Sequence, residues 1–256
     1  MLESSRDHRW FLCSQERVEA KLRLFCLPFA GGGASAFHSW SEALPDAVEV
    51  RGIQLPGRES RFREQAMVSA PPLVEQIADA LEPWLDRPFS LLGYSMGGAL
   101  AFELSRALRR RSAPMPTHLI VASRIAPQLP NVHPPMAHLP KEQLLQEVRR
   151  FFDPPDAAWE NPELLALVLP ALRADMTMCD TYVYVPEPPL DCAIHSFAGA
   201  GDRSAPLACV REWKEQTTNE FTLQVVPGGH FFIFSERIRF QSLVAELLRT
   251  SLERSS

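Results

Sequence analysis

A serine between two glycines, in Gly93-Tyr94-Ser95-Met96-Gly97 with Gly98 behind it, is where residue types and spacing in this chain first point to covalent chemistry. A serine hydroxyl is a weak nucleophile until a base takes its proton. The base in turn needs a carboxylate to fix its tautomer and stabilise its charge. His230 lies in a Pro-Gly-Gly-His turn after the apolar run FTLQVV, placing a histidine at a strand end where its ring can reach Ser95. Asp202 closes the loop GAGD after the run CAIHSF and is the favoured acid. Asp180 and Asp191 compete for that role, but the first falls in a helical insertion and the second precedes its strand. Asp202 can also cap the turn that follows it, a role compatible with catalysis.

The pentapeptide alone is a weak pattern, and its context supplies the mechanism. PFSLLGY, residues 88–94, reads as a short strand running straight into Ser95, and Met96, Leu100, Leu104 and Leu108 then step by four along a helix. A serine at such a junction sits in a sharp turn that lifts its hydroxyl above the sheet edge, with Gly93 and Gly97 letting strand and helix approach closely. The alternative is a purely structural turn. The chain order Ser95, Asp202, His230 is that of an α/β-hydrolase triad. Two backbone amides are then expected to receive the oxyanion: that of Met96 at the helix start, and that of Ala30, with Phe29 next in line, from the loop after the first strand. Read as a phosphate cradle, Gly31-Gly32-Gly33 lacks a following lysine and either nucleotide-binding spacing.

The elements that must position these residues alternate in period. Strand character is expected at 21–29, 49–55, 88–94, 117–123, in DCAIHSFAGAGD and in FTLQVV. Helical spacing is expected at 72–85, behind Ser95, and in a terminal helix carrying Ile238, Phe240, Leu243, Leu247 and Leu248. That alternation predicts an α/β fold, a mostly parallel sheet flanked by helices, formed by residues 1–256 as a single domain. Residues 127–189 break the rhythm. Helical patches at 142–151 and 162–176, separated by DPPDAAW and bordered by prolines, predict a helical lid inserted in the domain, where a substrate chamber can form.

Composition narrows the partners. A net charge of -5 gives no field for nucleic acid, and the one dense basic run, Arg109-Arg110-Arg111, is expected at a helix C-terminus, where cations are favourable. No stretch approaches the ~18 apolar residues that span a membrane, and MLESSRDHRW is too polar for a signal peptide, so a cytosolic protein is expected. Five cysteines without a Cys-x-x-Cys pair predict reduced, mostly buried thiols and no thiolate zinc site. His133 and His138 are a weak metal signal in a proline-rich stretch, and no metal or cofactor is expected. His195 reads as a hydrogen-bonded core histidine, and Tyr94 as packing beneath the site. A monomer is expected, since no long apolar face is evident.

LFCLPFAGGG, LPGRESR, GYSMGG and PGGHFF, in that order, resemble the type II thioesterases, and the resemblance runs from about Trp10 to Leu248. It implies an α/β-hydrolase that cleaves acyl thioesters from the phosphopantetheine arm of acyl or peptidyl carrier proteins, removing stalled or misprimed groups beside non-ribosomal peptide or polyketide synthases. It implies Ser95 as nucleophile, Asp202 as acid, His230 as base, the Ala30 and Met96 amides as oxyanion donors, and a mobile lid at 127–189. Where many members carry histidine before the serine, this chain has Tyr94. Arg58 and Arg61 in LPGRESR are candidates for carrier contacts, but ion pairs with Glu59 and Glu64 that hold the loop are favoured. The alternatives are a medium-chain fatty acyl or acyl-coenzyme A hydrolase or general carboxylesterase, an acyltransferase, and a non-catalytic carrier-binding scaffold.

Overall fold

The computed structural model describes residues 7–155 and 161–254. The first six residues of the polar N-terminal stretch, and residues 156–159 of DPPDAAW, lie outside the described residues. Seven strands form one sheet: β1 Phe11–Leu12, β2 Leu22–Leu27, β3 Val48–Ile53, β4 Phe89–Tyr94, β5 His118–Ala122, β6 Ala193–Gly199 and β7 Phe221–Val226, in the order β1-β3-β2-β4-β5-β6-β7. Only β1 is antiparallel to its neighbour. The α-helices of the described residues are α1 Trp40–Ala43, α2 Ala70–Leu81, α3 Met96–Arg110, α4 Lys141–Phe152, α5 Pro162–Thr181, α6 Leu207–Arg211, α7 Phe232–Ser235 and α8 Arg237–Arg254.

Strands β2, β3, β4 and β6 are buried along their whole length, which is why they read as near-continuous apolar runs and not as alternating ones. The charged residues among them are paired: Glu49 Oε2 accepts from Arg23 Nε at 3.0 Å and from Arg51 Nε at 2.9 Å. Successive side chains feed opposite faces. Phe25, Leu27, Leu91 and Val121 pack with α2 and α3, while Leu24, Cys26, Leu92 and Ile120 pack with α1 and with Phe240, Val244 and Leu248 of α8. The sheet is the α/β-hydrolase type, covered by helices on both faces and carrying a helical insertion.

The insertion holds α4 and α5 and has its own small core of Met136, Leu144, Val148, Leu172 and Met176. Helix α5 extends to Thr181, five residues past the expected end, and carries Pro170 inside it. Asn161 caps its start, accepting from the amides of Glu163 and Leu164. Helix α2 starts at Ala70 and ends at Leu81, and the rest of the expected 72–85 span is a 3-10 turn at Glu82–Trp84. Strand β1 and the short helices α1 and α6 were not expected, because two to five residues show no period. The basic run does close α3, and its arginines are paired: Arg109 with Glu187 at 2.7 Å, and Arg111 with Asp79 at 2.7 Å.

No helix of the described residues is long and apolar enough to cross a membrane. The five cysteines are free thiols, three of them buried, and burial pushes the Cys179 thiol up to about 11.

Candidate active site

Strand β4 delivers Ser95 at the carboxyl edge of the sheet. Its backbone sits at φ 55° and ψ −115°, outside the regions that L-residues favour. The turn is held by Ser95 N donating to Ala122 O at 2.8 Å and by Gly98 N donating to Ser95 O at 2.9 Å. The glycines of the pentapeptide are required sterically. A Cβ on Gly93 would run into the backbone of Gly97, and one on Gly97 into the carbonyl of Leu27 on the neighbouring strand.

His230 comes from the turn after β7 and bridges the other two residues. Its Nε2 lies 2.9 Å from Ser95 Oγ, and its Nδ1 lies 2.9 Å from Asp202 Oδ2. All three side chains are more than nine-tenths buried. Burial pushes the Asp202 carboxyl up, but the hydrogen bond and charge of His230 and the donors of Ser204 outweigh it, so the group lies below its ordinary value. Asp202 Oδ1 accepts from Ser204 N at 2.9 Å, Ser204 Oγ at 2.8 Å and Ala205 N at 3.1 Å, so it is also the turn cap that its position suggested. The other candidate acids are placed elsewhere: Asp180 Oδ2 accepts the amides of Met136 and Ala137 at 2.8 Å each within the insertion, and Asp191 is exposed ahead of β6.

Ser204 and Ser123 escaped the sequence, and Tyr94, expected beneath the site, also makes a contact that was not expected. Ser204 Oγ also lies 2.8 Å from His230 Nδ1, so the hydroxyl links acid and imidazole. Tyr94 and Ser123 both donate to the carbonyl of His230, Ser123 at 3.0 Å, and fix the loop that carries the ring. Tyr94 is fully buried under the site, and its hydroxyl accepts from Ile233 N at 3.2 Å. The serine two residues after Asp202 was the available signal for Ser204. Nothing local marks Ser123.

The Met96 amide opens α3 at its positive end, and the Ala30 amide lies in the loop after β2; neither donates to a protein acceptor among the described residues. Ala30, Ser95 and His230 line one cleft with Phe29, Val148, Phe152, Leu172 and Met176. Phe152 of α4 packs against the His230 ring with centroids 4.8 Å apart. The cleft is narrow, with a cavity volume of about 40 Å³, and α4 and α5 form its wall on the insertion side.

The thioesterase domain family matches residues 22–251. The chain belongs to that family. The gramicidin S biosynthesis protein GrsT of Aneurinibacillus migulanus is 39% identical over 248 residues, covering 97% of each chain. The RedJ thioesterase from the prodiginine pathway of Streptomyces coelicolor is 39% identical with a TM-score of 0.85, covering 90% of this chain and 87% of its own. The type II thioesterase BorB from the borrelidin cluster is 32% identical with a TM-score of 0.85, covering 93% and 96%. Family and fold make this thioesterase a serine hydrolase.

The arginines of LPGRESR in this thioesterase divide. Arg61 pairs with Glu64 as expected, its Nη2 donating at 2.6 Å. Arg58 does not pair with Glu59. It forks onto Asp175 of α5, with Nη2 2.9 Å from Oδ1, and also donates to Gly32 O at 3.2 Å, while Asp175 Oδ2 accepts from Gly31 N at 2.8 Å. Glu59 turns away to accept from Ser35 N at 3.2 Å. Both arginines are buried, so neither presents its charge to a carrier. Of the remaining histidines, His195 is buried between His118, 3.0 Å away, and Thr222, 2.8 Å away, remote from Ser95 in the register of β6. His133 is buried against Phe151 and Phe152, while His138 is exposed, and no group of three metal-ligating residues occurs among the described residues.

Proposed function

We propose that this thioesterase hydrolyses acyl thioesters carried on the phosphopantetheine arm of carrier proteins, clearing stalled or misprimed groups from a non-ribosomal peptide or polyketide synthase. The observation that carries the chemistry is His230, with one ring nitrogen 2.9 Å from Ser95 and the other 2.9 Å from Asp202. Relatives named for gramicidin, prodiginine and borrelidin biosynthesis support the substrate class.

In this reading His230 Nε2 takes the Ser95 proton as Oγ attacks the thioester carbonyl. Asp202 holds Nδ1–H toward itself and stabilises the imidazolium, with Ser204 filling its second oxygen. The Met96 and Ala30 amides receive the oxyanion, each worth about 3 kcal/mol at the transition state. The pantetheine thiol departs with the proton from His230. Water, deprotonated by the same nitrogen, then attacks the acyl-Ser95 ester and releases the acid. Residues 1–256 act as one domain with a lid at 127–189, and five free cysteines, three of them buried, fit a reducing cytosol.

The test is hydrolysis of a short acyl group from a carrier protein, from coenzyme A and from an oxygen ester by wild type and Ser95→Ala. The reading expects a preference for the carrier and a loss of about 10⁴-fold or more in kcat on substitution. Equal rates on the three substrates would make the protein a general esterase.

A further inference from the structure

Arg124 follows β5, the strand next to the one that delivers Ser95, and its side chain borders each of three hollows that surround the nucleophile and its helix. Its stem is fixed, because its carbonyl accepts from Trp213 Nε1 at 2.9 Å and its Cβ lies close over Gly98. The residue is half-buried. Its Nε is buried without a hydrogen-bond partner, as are Nε of Arg17 and Arg106, but no carboxylate of the described residues pairs with the Arg124 guanidinium. The fully buried arginines each have an acid, as in Arg23 with Glu49, Arg58 with Asp175 and Arg106 with Glu103. A guanidinium has five N–H donors and no acceptor, so one without a carboxylate beside a largely apolar cleft offers donors that a ligand's oxygens can take in place of water.

The shape around Arg124 indicates which part of a substrate those oxygens belong to. On the insertion side the cleft is lined by Phe29, Val148, Phe152 and Leu172, apolar groups that suit an acyl chain. On the other side a slot runs from Arg124 between Met96, Ala99 and Met178. Ala70, Met178 and Tyr182 of that slot also border a groove of about 510 Å³ along α2 and α3. The hollows thus share lining residues in series from the groove toward Ser95, with Arg124 bordering the two inner ones. The Tyr182 hydroxyl is occupied by Glu103 at 2.7 Å, leaving Arg124 as the donor of the slot. The slot holds about 10 Å³ of free space, so passage requires Met178, an unbranched and adaptable side chain on α5, to swing aside.

We propose that the groove and slot admit the pantetheine arm, and that Arg124 donates to the arm's amide carbonyl nearest the thioester. The proposal rests on the thioester reading above. The arm alternates short methylene runs with amide carbonyls, which matches an apolar slot ending in a free guanidinium. A carboxylate on the acyl group offers Arg124 similar chemistry, and the test separates the two.

The experiment compares kcat/KM of wild type, Arg124→Met and Arg124→Lys on four butyryl or glutaryl substrates: butyryl carrier protein, butyryl N-acetylcysteamine, which keeps the first amide, S-ethyl thiobutyrate, which has none, and glutaryl N-acetylcysteamine. Arg124→Met is expected to lower the two amide-bearing butyryl substrates about tenfold or more beyond its effect on S-ethyl thiobutyrate, with Arg124→Lys between. Ala99→Leu, which narrows the slot, is expected to penalise butyryl carrier protein at least tenfold more than S-ethyl thiobutyrate. Equal losses on every substrate, or a selective loss confined to the glutaryl thioester, overturn the proposal. Wild type that cleaves no thioester overturns the functional reading and this inference with it, whereas thioester cleavage without arm-dependent losses overturns this inference alone.

Discussion

Arg58 and Asp175 are 117 positions apart, yet their side chains meet in a buried two-point pair, with Arg58 Nη2 2.9 Å from Asp175 Oδ1. The pair ties three elements together: the loop after β3, helix α5 of the insertion, and the glycine loop after β2, through Gly31 N and Gly32 O. That last loop carries the Ala30 amide. Arg58 thus braces the loop that carries the amide proposed above as an oxyanion donor.

Breaking the pair from one side should therefore cost both stability and rate. Asp175→Asn or Arg58→Met leaves an uncompensated buried charge or donor, a loss of about 3–5 kcal/mol, or a fall in Tm of roughly 6–20 °C for a chain of this size. The double substitution Arg58→Met/Asp175→Leu should recover much of the Tm. If the pair also positions the Ala30 amide, kcat stays depressed in the double variant while KM changes little. Full recovery of kcat together with Tm would reduce the pair to a structural brace.

Ser204 offers a test of how the acid is held. Its hydroxyl and amide both donate to Asp202 Oδ1, and its oxygen lies 2.8 Å from the imidazole nitrogen that faces the acid. Ser204→Ala removes one hydrogen bond to an ionised carboxylate, worth about 1.5–3 kcal/mol, and should lower kcat by roughly 10- to 100-fold with KM little changed. A kcat equal to wild type would show that the remaining amides of residues 204 and 205 suffice.

Tyr94 and Ser123 share one acceptor, the carbonyl of His230. Either donor alone can hold the loop, so Tyr94→Phe and Ser123→Ala should each cost less than about 1.5 kcal/mol in kcat/KM. The double variant should lose more than the sum, because neighbours on one acceptor are not additive. A strictly additive double would mean that the two hydroxyls act independently of His230.

The sequence made the triad legible because each member follows a parallel strand. β4, β6 and β7 are apolar runs that end in turn residues, and Ser95, Asp202 and His230 stand where those runs stop. Long elements were legible too, and their ends less so: α5 continues past Met176 because its last turns are buried against the core and not because of any local signal. What stayed hidden depends on contacts between distant segments. Arg58 sits beside Glu59 in sequence, but Glu59 adopts φ 46° and turns to Ser35, freeing Arg58 for an aspartate in another element. Arg124 gave no signal at all, since the lack of a carboxylate beside its guanidinium shows only in the packing.

The far end of the sheet carries an acid-sensitive cluster independent of catalysis. Burial, with the neighbouring His118 adding to it, drives the His195 imidazole down to about 4 from an ordinary value of 6.5. Between those values the unfolded chain binds a proton that the folded protein refuses, so stability rises with pH across the window and is lost as pH falls from 6.5 toward 4. The loss amounts to about 3 kcal/mol at most from this one group. The cluster joins β5 to β6 and, through His118 Nε2 and Ser251 Oγ at 2.7 Å, to α8. His195→Gln removes the titrating ring and should flatten the dependence of urea-unfolding free energy on pH between 6.5 and 4, while leaving the pH dependence of thioester hydrolysis, which belongs to the opposite edge of the sheet, in place. An unchanged stability slope in the variant would mean that His195 takes up its proton in the folded state as readily as in the unfolded one.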